Sequence, residues 1–226
     1  MRPFWIGPVA LLALLATACA RPPAPAPKSA LSTSVHATAV NPANIKKVSR
    51  ELPPGYEVTT GIPSGASPRT ILELDADAVA KPPQCATLAD PGNGRDQSAQ
   101  GVSGSGAGGI VVAVVVALQP GPVALDHDLA ASCGQWTMAG QHATAGFHLT
   151  DPPHIDGAQT LGFAADIRTT VESGSEIDSR AYTFIAYLGD YYAFTTLTTD
   201  PGSVLPALTP QFAADLLVKT VSTLRN

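Results

Sequence analysis

Four histidines in the second half of the chain are the first candidates for chemistry, because imidazole and carboxylate groups are ligands of zinc. His127 and His154 each lie close to two aspartates, and His142 and His148 are separated by an even number of positions. On a strand those two histidines would share a face. No H-E-x-x-H motif and no Cys/His metal spacing accompanies them. The sequence therefore predicts neither a metal site nor a cofactor.

Two further patterns bear on nucleotide binding and nucleophilic catalysis. The sequence of residues 104–109 matches the pattern G-x-G-x-x-G. They precede a Val-rich segment, however, whereas the dinucleotide fingerprint follows a strand and opens a helix. We expect the stretch from Asp90 through this motif to be a flexible loop. The sequence has no G-x-S-x-G nucleophile elbow. A serine triad whose members are distant in sequence is an alternative that these motifs do not test.

Aromatic residues cluster in the second half of the chain and are candidates for ligand binding. They are Trp136, Tyr182, Tyr187, Tyr191 and Tyr192. Such side chains can line a pocket for a glycan or lipid, with rings providing contact area and hydroxyls providing direction. Cross-strand pairing of the tyrosines and a core position for the tryptophan explain the same pattern, and this is the interpretation we favour.

Cys19 is a candidate for covalent lipid attachment. It follows Arg2, an apolar run over residues 4–15 and the small residues 16–18, which is the order of a secretory signal. The run of 12 residues is shorter than the roughly 20 that a membrane-spanning helix needs. Residues 14–19 resemble the bacterial lipobox, which predicts cleavage before Cys19 and a lipid on its thiol. Ordinary cleavage after the same small residues is the alternative.

The other two cysteines are predicted to form a disulfide. Three cysteines in an exported chain leave one unpaired thiol, and a lipid on Cys19 would leave Cys85 and Cys133 as a pair in an oxidising compartment. Two buried free thiols are the alternative. The sequence thus predicts one disulfide that closes a long loop.

Composition divides the chain into three parts. Residues 1–18 form the predicted signal peptide, and residues 19–39 are rich in proline and alanine, which predicts an extended tether. Residues 40–226 are long enough for a single domain. Without residues 1–18 the chain has 12 basic and 18 acidic residues, a net charge of −6 with histidine neutral. This balance excludes a basic footprint for nucleic acid.

The predicted elements place these residues on a sheet flanked by two helices. Asn41-Pro42 and Thr209-Pro210 each resemble a helix cap followed by proline at the first helical position. The apolar run Ile110–Leu118 predicts a strand buried on both faces. Further strands are expected at residues 56–59, 135–139, 141–148, 159–172, 179–188 and 191–199, with a tight turn at Gly189-Asp190. This order favours an α+β fold with a mainly antiparallel twisted sheet and a helix from each terminus packed on it.

Several of these features together resemble a known group of proteins. They are the lipobox, the tether, the segment Glu51-Leu52-Pro53-Pro54-Gly55-Tyr56, the cysteine pair and the closing helix. The chain resembles mycobacterial lipoproteins of unknown function and, more remotely, the extracellular sensor domain of mycobacterial Ser/Thr protein kinases. The resemblance implies an envelope protein with an antiparallel sheet and a cleft for a small ligand, and it transfers no catalytic residue.

These observations favour a non-enzymatic lipoprotein of the cell envelope. It would be held by its N-terminal lipid on the extracytoplasmic side of the cell membrane, and would bind a small ligand, a lipid or an envelope protein. The alternative is a secreted hydrolase that uses a metal or an unrecognised nucleophile.

Overall fold

Segments rich in β-branched and aromatic residues form one antiparallel sheet in the computed structural model, which describes residues 39–226. The nine strands of the described residues are β1 (Glu57–Thr59), β2 (Val79–Lys81), β3 (Asp96–Gly106), β4 (Gly109–Gln119), β5 (Gln135–Ala139), β6 (Ala143–Thr150), β7 (Gln159–Thr170), β8 (Glu176–Tyr187) and β9 (Tyr191–Thr199). Their order across the sheet is β1-β3-β4-β9-β8-β7-β6-β5-β2. All eight neighbouring pairs are antiparallel.

Helices contribute a small part of the described chain. The α-helices are α1 (Pro68–Ile71), α2 (Ala86–Ala89), α3 (His127–Ser132) and α4 (Pro210–Leu224), and 3-10 helices span Pro42–Glu51 and Pro83–Cys85. Helices α1, α2 and α3 were not predicted from the sequence, because one or two turns carry too little periodicity to be recognised. The described chain is therefore mainly β with some helices, and the predicted mainly antiparallel sheet is confirmed.

Both terminal helices lie on one face of the sheet, which we call the helix face. The 3-10 helix Pro42–Glu51 contributes Ile45 and Val48 to this core, and α4 contributes Leu216, Leu217 and Val221. Asn41 caps the first helix by accepting a hydrogen bond from the Ala43 amide, and Thr209 caps α4 by accepting one from Phe212. Both predicted caps are confirmed, although the first helix is 3-10 rather than α.

The opposite face of the sheet, which we call the disulfide face, carries a second apolar core. Cys85 and Cys133 form the predicted disulfide within it, with a Cα–Cα distance of 5.7 Å. The segments containing α1, α2 and α3 cover this face. Strand β4 separates the two cores, because Val111, Ala113 and Val115 face the helices while Val112, Val114 and Val116 face the disulfide. Its predicted burial on both faces is confirmed.

The segment between Asp90 and Gly109 was predicted to be a flexible loop, and this prediction was wrong. Most of it is β3, which pairs along its whole length with β4. Its glycines suit a strand here because neighbouring groups approach them closely. A Cβ at Gly101 would lie 2.5 Å from the Ala113 carbonyl oxygen, and one at Gly106 would overlap the Tyr56 ring. The glycines therefore mark close packing rather than flexibility.

Candidate functional site: an aliphatic groove

Two exposed isoleucines flank a groove on the disulfide face. Ile110 at the start of β4 is 49% exposed, and Ile177 near the start of β8 is 54% exposed. The groove between them has a volume of about 390 Å³. This size lies within the roughly 300–1,000 Å³ that is typical of small-ligand pockets. We call it the aliphatic groove.

The lining of the aliphatic groove consists mainly of branched aliphatic and hydroxyl side chains. The residues are Ile62, Ile71, Leu72, Glu73, Ser103, Ile110, Val112, Ile167, Thr169, Val171, Ile177, Ser179 and Thr198. No ring belongs to this lining, and Glu73 is its charged member. Such a surface favours a flexible hydrocarbon chain over a flat or charged ligand, because hydrocarbon binds by burial of apolar area.

Helix α1 forms one wall of the groove, and its position follows from local capping. Ser67 and Thr70 form a reciprocal capping box, in which the Ser67 amide donates to Thr70 Oγ1 at 2.8 Å and the Thr70 amide donates to Ser67 Oγ at 3.4 Å. Pro68 occupies the first helical position. This cap directs the single turn so that Ile71 and Leu72 line the groove.

Glu73 ends α1 in a left-handed conformation at the groove wall, with φ of +59°. The Glu73 amide donates to the Thr70 carbonyl, and the Leu74 amide donates to the Arg69 carbonyl. These two bonds form a Schellman motif, whose left-handed position is usually glycine. A non-glycine residue with this conformation is strained, and such strain is often found at functional sites.

A buried polar group lies behind α1. Arg69 Nη2 and Asp90 Oδ2 are 3.4 Å apart, and both side chains are largely buried. Burial raises the pKa of Asp90, while Arg69 and hydrogen bonds from Ser67 and Gly92 oppose that shift. Burial also raises the pKa of the nearby Tyr192, and the charge of Asp90 raises this pKa further. Within the described part of the chain, Asp90 Oδ1, Arg69 Nε and the Tyr192 hydroxyl have no hydrogen-bond partner.

The five aromatic residues singled out in the sequence do not form one wall. Trp136, Tyr187 and Tyr192 belong to the core of the disulfide face, whereas Tyr182 and Tyr191 pack against the core of the helix face. Trp136 stacks on Phe147 with ring centroids 4.7 Å apart. Tyr187 and Tyr192 are cross-strand partners. These positions match the structural interpretation of the aromatic cluster, and the aliphatic groove is lined by other residues.

The histidines are dispersed over the surface. His127, His142, His148 and His154 are all exposed. His154 Nε2 lies 3.1 Å from Asp156 Oδ1, and His127 Nε2 lies 2.9 Å from the Gln159 side-chain nitrogen. Among residues 39–226, no group of three or more His, Cys, Asp or Glu side chains is arranged to hold a metal ion.

A second, charged cleft of about 430 Å³ lies on the helix face, over β6, β7 and β8. Two cross-strand ion pairs line it, Arg168 Nε to Asp178 Oδ1 at 2.9 Å and Arg180 Nε to Asp166 Oδ1 at 2.6 Å. These hydrogen bonds raise the pKa of both arginines. The charges of the cleft are thus paired with each other.

The predicted lipid-attachment residue Cys19, the signal peptide and almost all of the tether lie outside the described residues. No helix of residues 39–226 is long and apolar enough to cross a membrane.

Comparison with known proteins places the chain in a family. Residues 41–225 match a domain of unknown function, DUF5642. The chain belongs to the DUF5642 family. This DUF5642 chain also resembles the X-ray structure of an uncharacterised Mycobacterium smegmatis protein, described as the Rv0999 ortholog, with a TM-score of 0.62 and 19% sequence identity. The match covers 84% of this chain and 100% of that one, and at this identity it shows a shared fold. No curated protein matches the chain.

The aliphatic groove is not recognisable from the sequence alone. Its residues come from six separate segments, and branched aliphatic residues in strands normally indicate core. A local signal existed at Ile177, which stands between Glu176 and Asp178 on a strand whose other exposed residues are polar. The neighbours of Ile177 in space follow from the pairing of β7 with β8 and from the position of α1.

Proposed function

We propose that this protein is a non-enzymatic lipoprotein of the cell envelope that binds the acyl chain of a lipid in the aliphatic groove. The observation that supports ligand binding is the groove itself, with its aliphatic lining and its volume of about 390 Å³. Each buried methylene group of a ligand would contribute roughly 0.8 kcal/mol. A chain of several such groups therefore provides enough free energy for useful affinity.

The cellular location is part of the proposal. Cleavage before Cys19 and a lipid on its thiol would hold the domain outside the cytoplasmic membrane by the tether of residues 19–39. The disulfide between Cys85 and Cys133 supports an oxidising compartment. The similarity in fold to the Mycobacterium smegmatis protein is compatible with a mycobacterial envelope.

The groove is tested by titrating a fluorescent fatty acid into the chain with Cys19→Ser and without residues 1–18. Ile110 and Ile177 are exposed, so replacing both with glutamine should leave folding intact. We expect the double variant to bind the probe at least about tenfold more weakly, since a loss of roughly 1.4 kcal/mol changes affinity tenfold. Val218→Gln is the matched control, because Val218 is 39% exposed on α4 and lies outside the groove.

Equal affinity of the double variant and of Val218→Gln would contradict binding in the groove. The anchor is tested separately by intact-protein mass spectrometry of the membrane fraction from a host that lipidates proteins. We expect an acylated chain that starts at Cys19, and a soluble, unacylated chain for Cys19→Ala. An unacylated wild-type chain would contradict the proposed anchor and leave the groove experiment unaffected.

A further inference from the structure

Exposed apolar side chains are concentrated at one end of the sheet. Seven large hydrophobic residues of residues 39–226 are exposed: Val58, Val79, Ile110, Ile177, Val204, Leu205 and Val218. Because every neighbouring pair is antiparallel, one end of the sheet holds both strand starts and strand ends. The strands that begin there include β1, β2, β4 and β8, and the strands that finish there are β3, β5, β7 and β9. Val58, Val79, Ile110 and Ile177 lie at or near those strand starts, and Val204 and Leu205 follow the end of β9. We call this region the apolar end.

The loop between β9 and α4 is the most exposed part of the apolar end. All residues from Asp200 to Ala207 are exposed, with Val204 at 98% and Leu205 at 52%. Two local bonds shape the loop, from the Gly202 amide to Asp200 Oδ1 at 2.7 Å and from the Leu205 amide to Ser203 Oγ at 3.2 Å. The Leu208 amide then donates to the Gly108 carbonyl at the β3–β4 turn. The loop therefore presents two adjacent apolar side chains to solvent.

The apolar end is continuous with the aliphatic groove. Ile110 and Ile177 are exposed at this end and also line the groove. A hydrocarbon chain that enters between them would therefore contact apolar side chains that the surface and the groove share. This continuity distinguishes the apolar end from scattered surface hydrophobics, which need no explanation.

The charges at the apolar end are mainly acidic. Glu57, Glu73, Glu172 and Asp200 are exposed there. The nearby Arg168 is paired with Asp178 at 2.9 Å and with Glu176 at 3.5 Å. An anionic lipid surface would repel this distribution, whereas a zwitterionic or neutral surface would not.

We propose that the apolar end inserts into a lipid surface of low net charge, with Val204 and Leu205 as the inserted residues, and that lipid chains enter the aliphatic groove from there. This inference rests on the proposed binding of acyl chains. Apolar side chains at the headgroup boundary bind in proportion to the apolar area that they bury. The inserted loop would thus place the groove entrance against the layer that holds the ligand.

The inference is tested by flotation with phosphatidylcholine vesicles. The protein is the chain with Cys19→Ser and without residues 1–18, so that neither a lipid anchor nor the apolar signal contributes. We expect Val204→Ser/Leu205→Ser to reduce the bound fraction at least about fivefold, and Val218→Ser to leave it unchanged. Replacing part of the phosphatidylcholine with phosphatidylglycerol should lower binding of the parent chain.

Binding of a water-soluble fluorescent fatty acid separates the two proposals. A loop variant that loses vesicle binding and keeps probe binding supports insertion at the apolar end. Equal flotation of the loop variant and its parent, no flotation of the parent, or stronger flotation with phosphatidylglycerol would each overturn it. If the parent chain still binds the fluorescent fatty acid in any of those cases, ligand binding in the groove remains supported. If the parent chain does not bind the fluorescent fatty acid, the proposed function itself is refuted.

Discussion

At the scale of single residues, Glu73 stands out because its backbone conformation opposes its residue type. Its φ of +59° completes the Schellman motif that ends α1, and its side chain lines the aliphatic groove. Left-handed geometry costs an L-residue roughly 1–2 kcal/mol relative to the right-handed region, and glycine avoids this cost. The residue therefore combines a stability cost with a position at the candidate site.

Glu73→Gly is expected to stabilise the protein by about 1 kcal/mol, because it relieves the left-handed strain while keeping both backbone bonds of the motif. Urea unfolding monitored by circular dichroism measures the change. Glu73→Ala is the control, since it removes the same carboxylate and retains a Cβ. A stabilisation by alanine equal to that by glycine would show that the carboxylate, not the backbone strain, destabilises the wild-type protein.

Asp90 should produce a specific dependence of stability on pH. Burial raises its folded-state pKa above the ordinary value of 3.8, so the folded protein binds this proton more tightly than the unfolded chain does. Its contribution to the free energy of unfolding is then largest at low pH and decreases as pH rises through the folded-state pKa.

Asp90→Asn removes this titration, so the free energy of unfolding of wild type minus that of the variant should become smaller as pH rises from about 4 to about 7. Urea unfolding of both proteins at several pH values across this range measures the difference. A difference that grows with pH would contradict the inferred direction of the pKa shift.

At the scale of elements, β3 depends on glycines that admit close neighbours. A Cβ at Gly101 would lie 2.5 Å from the Ala113 carbonyl oxygen, and backbone atoms of a central strand cannot move aside easily. On β6, by contrast, a Cβ at Gly146 would have no heavy atom within 4 Å. The two strand glycines therefore differ in the space around them.

Gly101→Ala is expected to destabilise the protein by about 1–3 kcal/mol, as overpacking of a well-packed core typically does. Gly146→Ala is the matched control and should be neutral or stabilising by up to about 0.5–1 kcal/mol, because alanine loses less conformational entropy than glycine in a strand. Thermal unfolding of both variants checks the contrast. Equal effects would mean that β3 can shift to accept a side chain.

At the scale of the whole molecule, the disulfide joins parts of the disulfide face that are distant in sequence. Cys85 and Cys133 are 48 residues apart, and both are fully buried. The intervening chain includes β3 and β4, so the bond closes a loop around the middle of the fold. In the chain-entropy account, such a bond acts mainly by restricting the unfolded state.

Replacing both cysteines with alanine is expected to lower the free energy of unfolding by roughly 2–5 kcal/mol, the usual cost of removing a native disulfide from a small domain. Urea unfolding of the variant and of the oxidised wild type measures the loss. Reduced wild type should approach the stability of the variant. A variant as stable as the oxidised protein would contradict a stabilising role for this bond.

Local patterns in the sequence were sufficient for much of this architecture. The caps at Asn41 and Thr209, the doubly buried strand β4 and the turn at Gly189 follow from residue types within a few positions, because capping, alternation and positive φ are local properties. Gly189 indeed has φ of +77°. The pairing of Cys85 with Cys133 was predicted from the number of cysteines together with the expected lipid on Cys19.

Tertiary structure alone decided the strand order, the role of β3 and the candidate site. The glycine-rich sequence of β3 is typical of a loop. It forms a strand because Leu52, Tyr56 and Ala113 fill the space that its glycines leave. The aliphatic groove needs residues from α1 and from five strands at once, and the apolar end needs strand starts that are far apart in the chain. Local physics determines each element of this protein, whereas a binding surface arises from long-range packing that no short segment encodes.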